Sequence, residues 1–296
     1  MSAQIKQSTQ NEANTLPTLE QMVDLERYPI HDLEHESTQA LIADCQARLN
    51  HDGCALIKDF MRPEAIARMK AEADRLYPQT FWSESSHTPY FNPDDPSLPE
   101  DHPKRYQQVR SSGYINSDIL EVDSDLRAIY RSEVVTRFIG ECLEVWPLYC
   151  WDDPLGCNPY SVMDKGHYFP WHFDGNDFTV SILVQESQAG GVFEYAPDLR
   201  TREDENFEVV KAVLEGERSG VKELNLEVGD LQIFKGRFSM HRVTRIEGEQ
   251  NRIIALPSYV TDPYSVNRPL HSEHLYGRAM PIHYEREGYR RDGLTD

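Results

Sequence analysis

His172-Phe173-Asp174 is the first place in this sequence where residue types and spacing suggest chemistry. On a strand, residues i and i+2 project from one face, so His172 and Asp174 would point together while Phe173 packs behind them. A third candidate, His241, follows the run Gly229-Asp230-Leu231-Gln232-Ile233-Phe234 at its far turn. Two imidazoles and one carboxylate can occupy one face of an octahedral iron(II) and leave three positions open. A 2-oxo acid would chelate two of these, and O₂ would take the last. Arg252, eleven positions after His241, lies in an otherwise apolar run with Ile253, Ile254, Ala255 and Leu256. A charge in such a run is costly without a partner. Its planar fork suits a far carboxylate on that 2-oxo acid.

These residues need a frame that brings distant strands together. Strand candidates are 158–163, 168–172, 179–185, 191–195, 222–226, 230–234, 241–244 and 252–259, separated by Gly, Asp and Asn turns. Eight short strands suit a double-sheet jelly roll, so the expected fold is mainly β with flanking helices. The core would span residues 149–262, with an acidic, partly helical insert at 202–221. Before it, residues 17–148 read as a mixed segment packed on the core. Helical spacing is visible at 36–49, from Pro63 to before Pro78, and at 124–143, with short strands at 54–60 and 106–110. The Pro-, Asp-, Ser- and His-rich stretch 79–103 reads as a long loop, a lid over the site. Residues 1–16 are polar and read as a disordered leader, and residues 263–296 as a C-terminal extension.

The bulk numbers narrow the function classes. The formal charge is -20. No Lys/Arg cluster offers a face for phosphates, so a nucleic-acid partner is not expected. The acidity opposes anionic membranes, and no apolar run is long enough to span one. Five scattered cysteines without a CxxC pair fit free thiols and a cytoplasmic location. A small-molecule substrate is the expected partner, with a homodimer as the assembly open to the chain.

From Asn158 to Val260, about a third of the chain, the sequence resembles the iron(II)/2-oxoglutarate dioxygenase superfamily, whose core is a double-stranded β-helix. Phe169-Pro170-Trp171-His172-Phe173-Asp174 and Gly190-Gly191-Val192-Phe193-Glu194-Tyr195 are similar to the group that contains free-amino-acid hydroxylases and lysine halogenases. The resemblance implies that His172, Asp174 and His241 bind Fe(II) and that Arg252 binds 2-oxoglutarate. Halogenases of the group carry a small residue in place of the carboxylate, so Asp174 implies hydroxylation, with release of succinate and CO₂. Ile254 stands where a small hydroxyl partner of the arginine is familiar, so the second contact to the distal carboxylate must come from elsewhere. Asn158 and Tyr160 occupy the strand where related enzymes place 2-oxoglutarate contacts. Arg110, His167, Trp171 and Asp153 are the expected substrate contacts. Desaturation, cyclisation or epoxidation on the same iron, and a non-catalytic jelly-roll binding protein, are the alternative readings.

Overall fold

The structure, a computed structural model, describes residues 16–289 and 293–295. The expected leader therefore lies, except for Leu16, outside the described residues. Among the described residues thirteen strands form: β1 Cys54–Ile57, β2 Phe81–His87, β3 Gln108–Ile115, β4 Tyr149–Cys150, β5 Tyr160–Met163, β6 Phe169–His172, β7 Phe178–Gln185, β8 Phe193–Ala196, β9 Lys222–Leu224, β10 Leu231–Phe234, β11 Met240–Val243, β12 Arg252–Ala255 and β13 Ser258–Val260. They build two antiparallel sheets. The larger runs β1-β10-β7-β12-β5-β3-β2, with β13 pairing β7 and β4. The smaller runs β6-β11-β8-β9. Two facing antiparallel sheets flanked by helices are consistent with a double-stranded β-helix core.

Strand parity divides the large sheet. Val180, Ile182, Ile233, Ile253, Ala255, Tyr160 and Val162 enter the main core, together with Ile42, Leu49, Phe60, Met69 and Phe138. The intervening residues Ser161, Met163, Ser181, Phe234, Arg252 and Ile254 face a cavity. The helical layer comes from Glu36–Asp52, Pro63–Leu76 and Glu133–Leu143. The first ends at Gly53, whose φ of 65° is left-handed and free of strain only for glycine. The second starts with Pro63 in its first turn, where a missing N–H costs nothing.

Three expected elements differ. The stretch 79–103 is not loop throughout, because β2 pairs with β3 along its whole length. Its polar run Ser83-Glu-Ser-Ser86 hides a strand that sits at the sheet edge, half in solvent. The remainder of that stretch brings Phe91 into the cavity wall. The single helix expected over 124–143 is two, Asp125–Tyr130 and Glu133–Leu143. Ser132 divides them by capping the second, its Oγ accepting from the Val135 N–H at 3.4 Å. The strand expected over 252–259 breaks at Pro257, which lacks a ladder N–H, and becomes β12 and β13.

Candidate active site

The second strand of the small sheet brings the two histidines together. In the β11–β6 ladder, His241 stands opposite His172, and their ring centroids are 4.1 Å apart. The His172 Nδ1–H donates to the Pro170 carbonyl at 2.8 Å, and the His241 Nδ1–H to the Ser239 carbonyl at 3.0 Å. Each bond fixes the tautomer and leaves Nε2 as a bare lone pair. Asp174 lies two residues past the end of β6. Its Oδ1 is 3.3 Å from His241 Nε2 and 3.8 Å from His172 Nε2. Ligands in adjacent positions on one iron lie about 3 Å apart, so this spacing fits a single ion.

The carboxylate is held from two sides. Thr179 Oγ1 donates to Asp174 Oδ2 at 2.8 Å, and Asn176 Nδ2 donates to Thr179 Oγ1 at 2.9 Å. One oxygen is thereby taken and the other is left for a metal. On the other side the Asp174 N–H donates to the Gly236 carbonyl at 3.0 Å. A Cβ on residue 236 would lie 1.9 Å from Asp174 Oδ2, so only glycine allows this close approach. Phe173 turns away, as expected, and stacks on Tyr90 with the Arg200 guanidinium 4.1 Å from its ring centroid.

The electrostatics keep two members of the donor set, Asp174 and His172, deprotonated. Burial raises the Asp174 carboxyl, but His241, His172 and the Thr179 hydroxyl outweigh it and bring it to about 2. Burial, aided by the nearby His241, holds the His172 imidazole well below its usual range. Neutral imidazoles and an ionised carboxylate are the protonation states that bind a metal. His172, Asp174 and His241 are the group of His, Cys, Asp and Glu side chains among the described residues with the spacing to hold an ion.

Arg252 lies in the same cavity, 5 % exposed, and its side chain makes no hydrogen bond or ion pair within the described residues. Burial lowers its pKa to about 10, partly offset by the more distant Glu186. A buried, charged guanidinium without a partner is a site built for an anion. Ser181 and Ser161 face the cavity from the flanking strands β7 and β5. They are the hydroxyls available where Ile254 offers none.

Other expected site residues point elsewhere. Tyr160 has the wrong parity: its register partner is Ala255, and its hydroxyl donates to the buried Glu72 at 2.8 Å in the helical core. Asn158 is tied to two side chains, its Oδ1 accepting from Cys157 Sγ at 3.1 Å and its N–H donating to Ser117 Oγ at 2.9 Å. Asp153 is buried, but both oxygens are already used. They accept from the N–H groups of Leu155, Gly156 and Asn267 and from His283 Nε2. Trp171 projects to the outer face of β6, with the Arg242 guanidinium 4.8 Å from its ring centroid. His167 Nδ1 accepts from the Asp164 N–H in the turn before β6, and its ring centroid lies 5.0 Å from that of Trp82. Arg110 is fully buried, yet it bonds Ser112, Ser83 and the His274 carbonyl. Phe169, 5.3 Å from the Arg110 guanidinium, forms the cavity wall there.

The C-terminal segment supplies what sequence reasoning missed. Asn267, His271, Leu275 and Tyr276 close one side of the cavity, and His271 stacks on Phe91 at 4.5 Å. The last three lie on the helix Pro269–Tyr276, where His271, Leu275 and Tyr276 follow helical spacing. That spacing was the available signal.

Several solved structures share this fold. The epimerase SnoN, solved with Fe³⁺, alpha-ketoglutarate and nogalamycin RO, aligns with a TM-score of 0.55 at 14 % identity, over 87 % of this chain and 96 % of its own. AviO1 from Streptomyces viridochromogenes Tue57 aligns at 0.52 and 17 % identity, over 78 % and 98 % of the two chains. A prolyl hydroxylase from Trichoplax adhaerens, solved with a hypoxia inducible factor peptide, aligns at 0.52 and 13 %, over 76 % and 91 %. The chain itself belongs to the halogenase D family, whose model matches residues 37–274. No curated protein matches the sequence. Among the described residues no helix is long and apolar enough to cross a membrane.

Proposed function

We propose that this protein is an Fe(II)- and 2-oxoglutarate-dependent oxygenase that hydroxylates an unactivated C–H bond of a small molecule, with release of succinate and CO₂. A free amino acid or an amino-acid-derived metabolite is the proposed substrate. One observation carries the reading: His172, Asp174, His241 and the unpaired Arg252 converge on one cavity. The mixed N/O donor set suits iron(II) rather than a thiolate-seeking metal. Bound iron and 2-oxoglutarate would supply the oxidising chemistry through activation of O₂.

The protein's own part is positioning. The backbone carbonyls of Pro170 and Ser239 aim the two imidazoles, and Thr179 holds the carboxylate so that one oxygen faces the ion. Arg252 would take the distal carboxylate of 2-oxoglutarate, with Ser181 or Ser161 as a second donor. Phe91, Phe169 and Tyr276 line the apolar part of the cavity and keep water from the reacting carbon.

The family's description raises halogenation as the second reading. Asp174 speaks against it, because a carboxylate fixed between both histidines fills the position that a halide would need. Mass analysis of product formed under ¹⁸O₂ in excess chloride tests the choice. Hydroxylation gives one labelled oxygen and no chlorine; a chlorinated product would overturn the reading.

A further inference from the structure

We propose that the substrate presents an uncharged, apolar group to this cavity and is anchored by a hydrogen-bond acceptor, and that cationic side chains are excluded. The inference rests on the oxygenase reading and names its substrate class. The first observation is the charge of the wall. Among the described residues, Asp174 is the only carboxylate lining the cavity and Arg252 the only Lys or Arg. The carboxylate is assigned to iron and the guanidinium to 2-oxoglutarate, so the wall offers no anion to an ammonium or guanidinium at the end of a substrate side chain. Burying such a charge unpaired costs several kcal/mol, whereas an aliphatic or aromatic group gains from the same burial.

The second observation is the apolar surface itself. Phe91 stands with its ring centroid 6.0 Å from that of His172, stacked between His87 at 4.1 Å and His271 at 4.5 Å. Its φ of 55° is left-handed, a conformation that a phenylalanine rarely adopts. Phe169, Leu275 and Tyr276 continue the wall. The third observation is a pair of donors. Trp151 Nε1 and Asn267 Nδ2 are buried on residues that line the cavity, and neither has a partner. Buried donors are nearly always bonded, so two without a partner among the described residues, both on side chains of this wall, fit an acceptor such as a carbonyl or carboxylate on the ligand.

The test uses the iron-loaded protein with 2-oxoglutarate and matched compounds. Leucine, norleucine, phenylalanine and methionine form the uncharged set; lysine, ornithine and arginine form the cationic set. Each is supplied free, as its N-acetyl form and as its methyl ester, and succinate release is measured. At least one uncharged compound is expected to exceed every cationic one by tenfold or more. A cationic compound turned over fastest, or an uncharged set that never exceeds the substrate-free rate, overturns the proposal. Calorimetry without O₂ gives a second readout. Trp151→Phe keeps the ring and loses the N–H, so it should bind the best uncharged compound roughly tenfold more weakly, with 2-oxoglutarate affinity unchanged. Equal substrate affinity in the variant removes Trp151 from the anchor. Failure of the iron-loaded protein to bind 2-oxoglutarate at all is the distinct outcome that sinks the oxygenase reading, and this inference with it.

Discussion

Gly236→Ala should abolish tight metal binding without replacing any ligand. The added Cβ would stand 1.9 Å from Asp174 Oδ2 and 2.6 Å from its Cγ. Such contacts are essentially never closer than 3.0 Å, so the carboxylate must retreat by at least about 1.1 Å. Metal–ligand distances tolerate only about 0.2 Å. A retreat of that size also breaks the 2.8 Å bond from Thr179. Loss of an orienting partner alone typically weakens metal affinity 10- to 100-fold, and here the ligand itself is displaced. The expected loss is therefore at least about 100-fold, or about 2.7 kcal/mol. Calorimetric titration of the apoprotein with Co(II) reads this directly, and thermal unfolding of both apoproteins checks that the variant folds. Wild-type metal affinity in a folded Gly236→Ala protein would refute the reasoning, because it would mean that Asp174 does not ligate from this position.

Further outcomes follow from the same geometry. Arg252→Gln should weaken 2-oxoglutarate binding by roughly 2–4 kcal/mol in calorimetry, the scale of a buried charge-assisted pair; unchanged affinity would give the carboxylate to another cation. Tyr160→Phe should leave 2-oxoglutarate affinity alone and reduce stability by about 1–3 kcal/mol in urea unfolding, because Glu72 loses a buried partner. A fall in 2-oxoglutarate affinity in that variant would contradict the assigned parity. Burial lowers the His87 imidazole from its usual 6.5 to about 4, against the Thr88 carbonyl that favours its charge. The unfolded chain therefore binds more protons between those values, so this contribution to stability is complete above pH 6.5 and lost as pH falls through 4. About 3 kcal/mol is at stake. The pH dependence of unfolding should be flatter in His87→Phe over that window, and parallel curves would refute the assignment.

The metal candidates were legible because their geometry is local. A two-residue spacing at a strand end places His172 and Asp174 together whatever the strand pairs with, and an arginine inside an apolar strand announces an unusual environment. The placement of the other expected contacts depends on information that one strand does not carry. Whether Tyr160 or Ser161 faces the cavity depends on pairing with β12, where Ser161 stands opposite Ile254 and Met163 opposite Arg252. A slip of one residue exchanges the two faces. Arg110 and Asp153 read as substrate contacts in the sequence, but their partners include residues of β2, the C-terminal helices and a distant loop. Gly236 and Thr179 carry no signal alone, since their meaning arises only where two segments approach Asp174. Asn267 and His271 were missed because the segment after β13 reads as an extension, yet it folds back over the cavity.

The account stands most directly on release of CO₂ from 2-oxoglutarate labelled at C1. It predicts release by the wild-type protein that requires both Fe(II) and O₂, rises with substrate, and disappears in His172→Ala and His241→Ala. Iron-loaded wild-type protein that releases none, or release that survives in either variant, would contradict it.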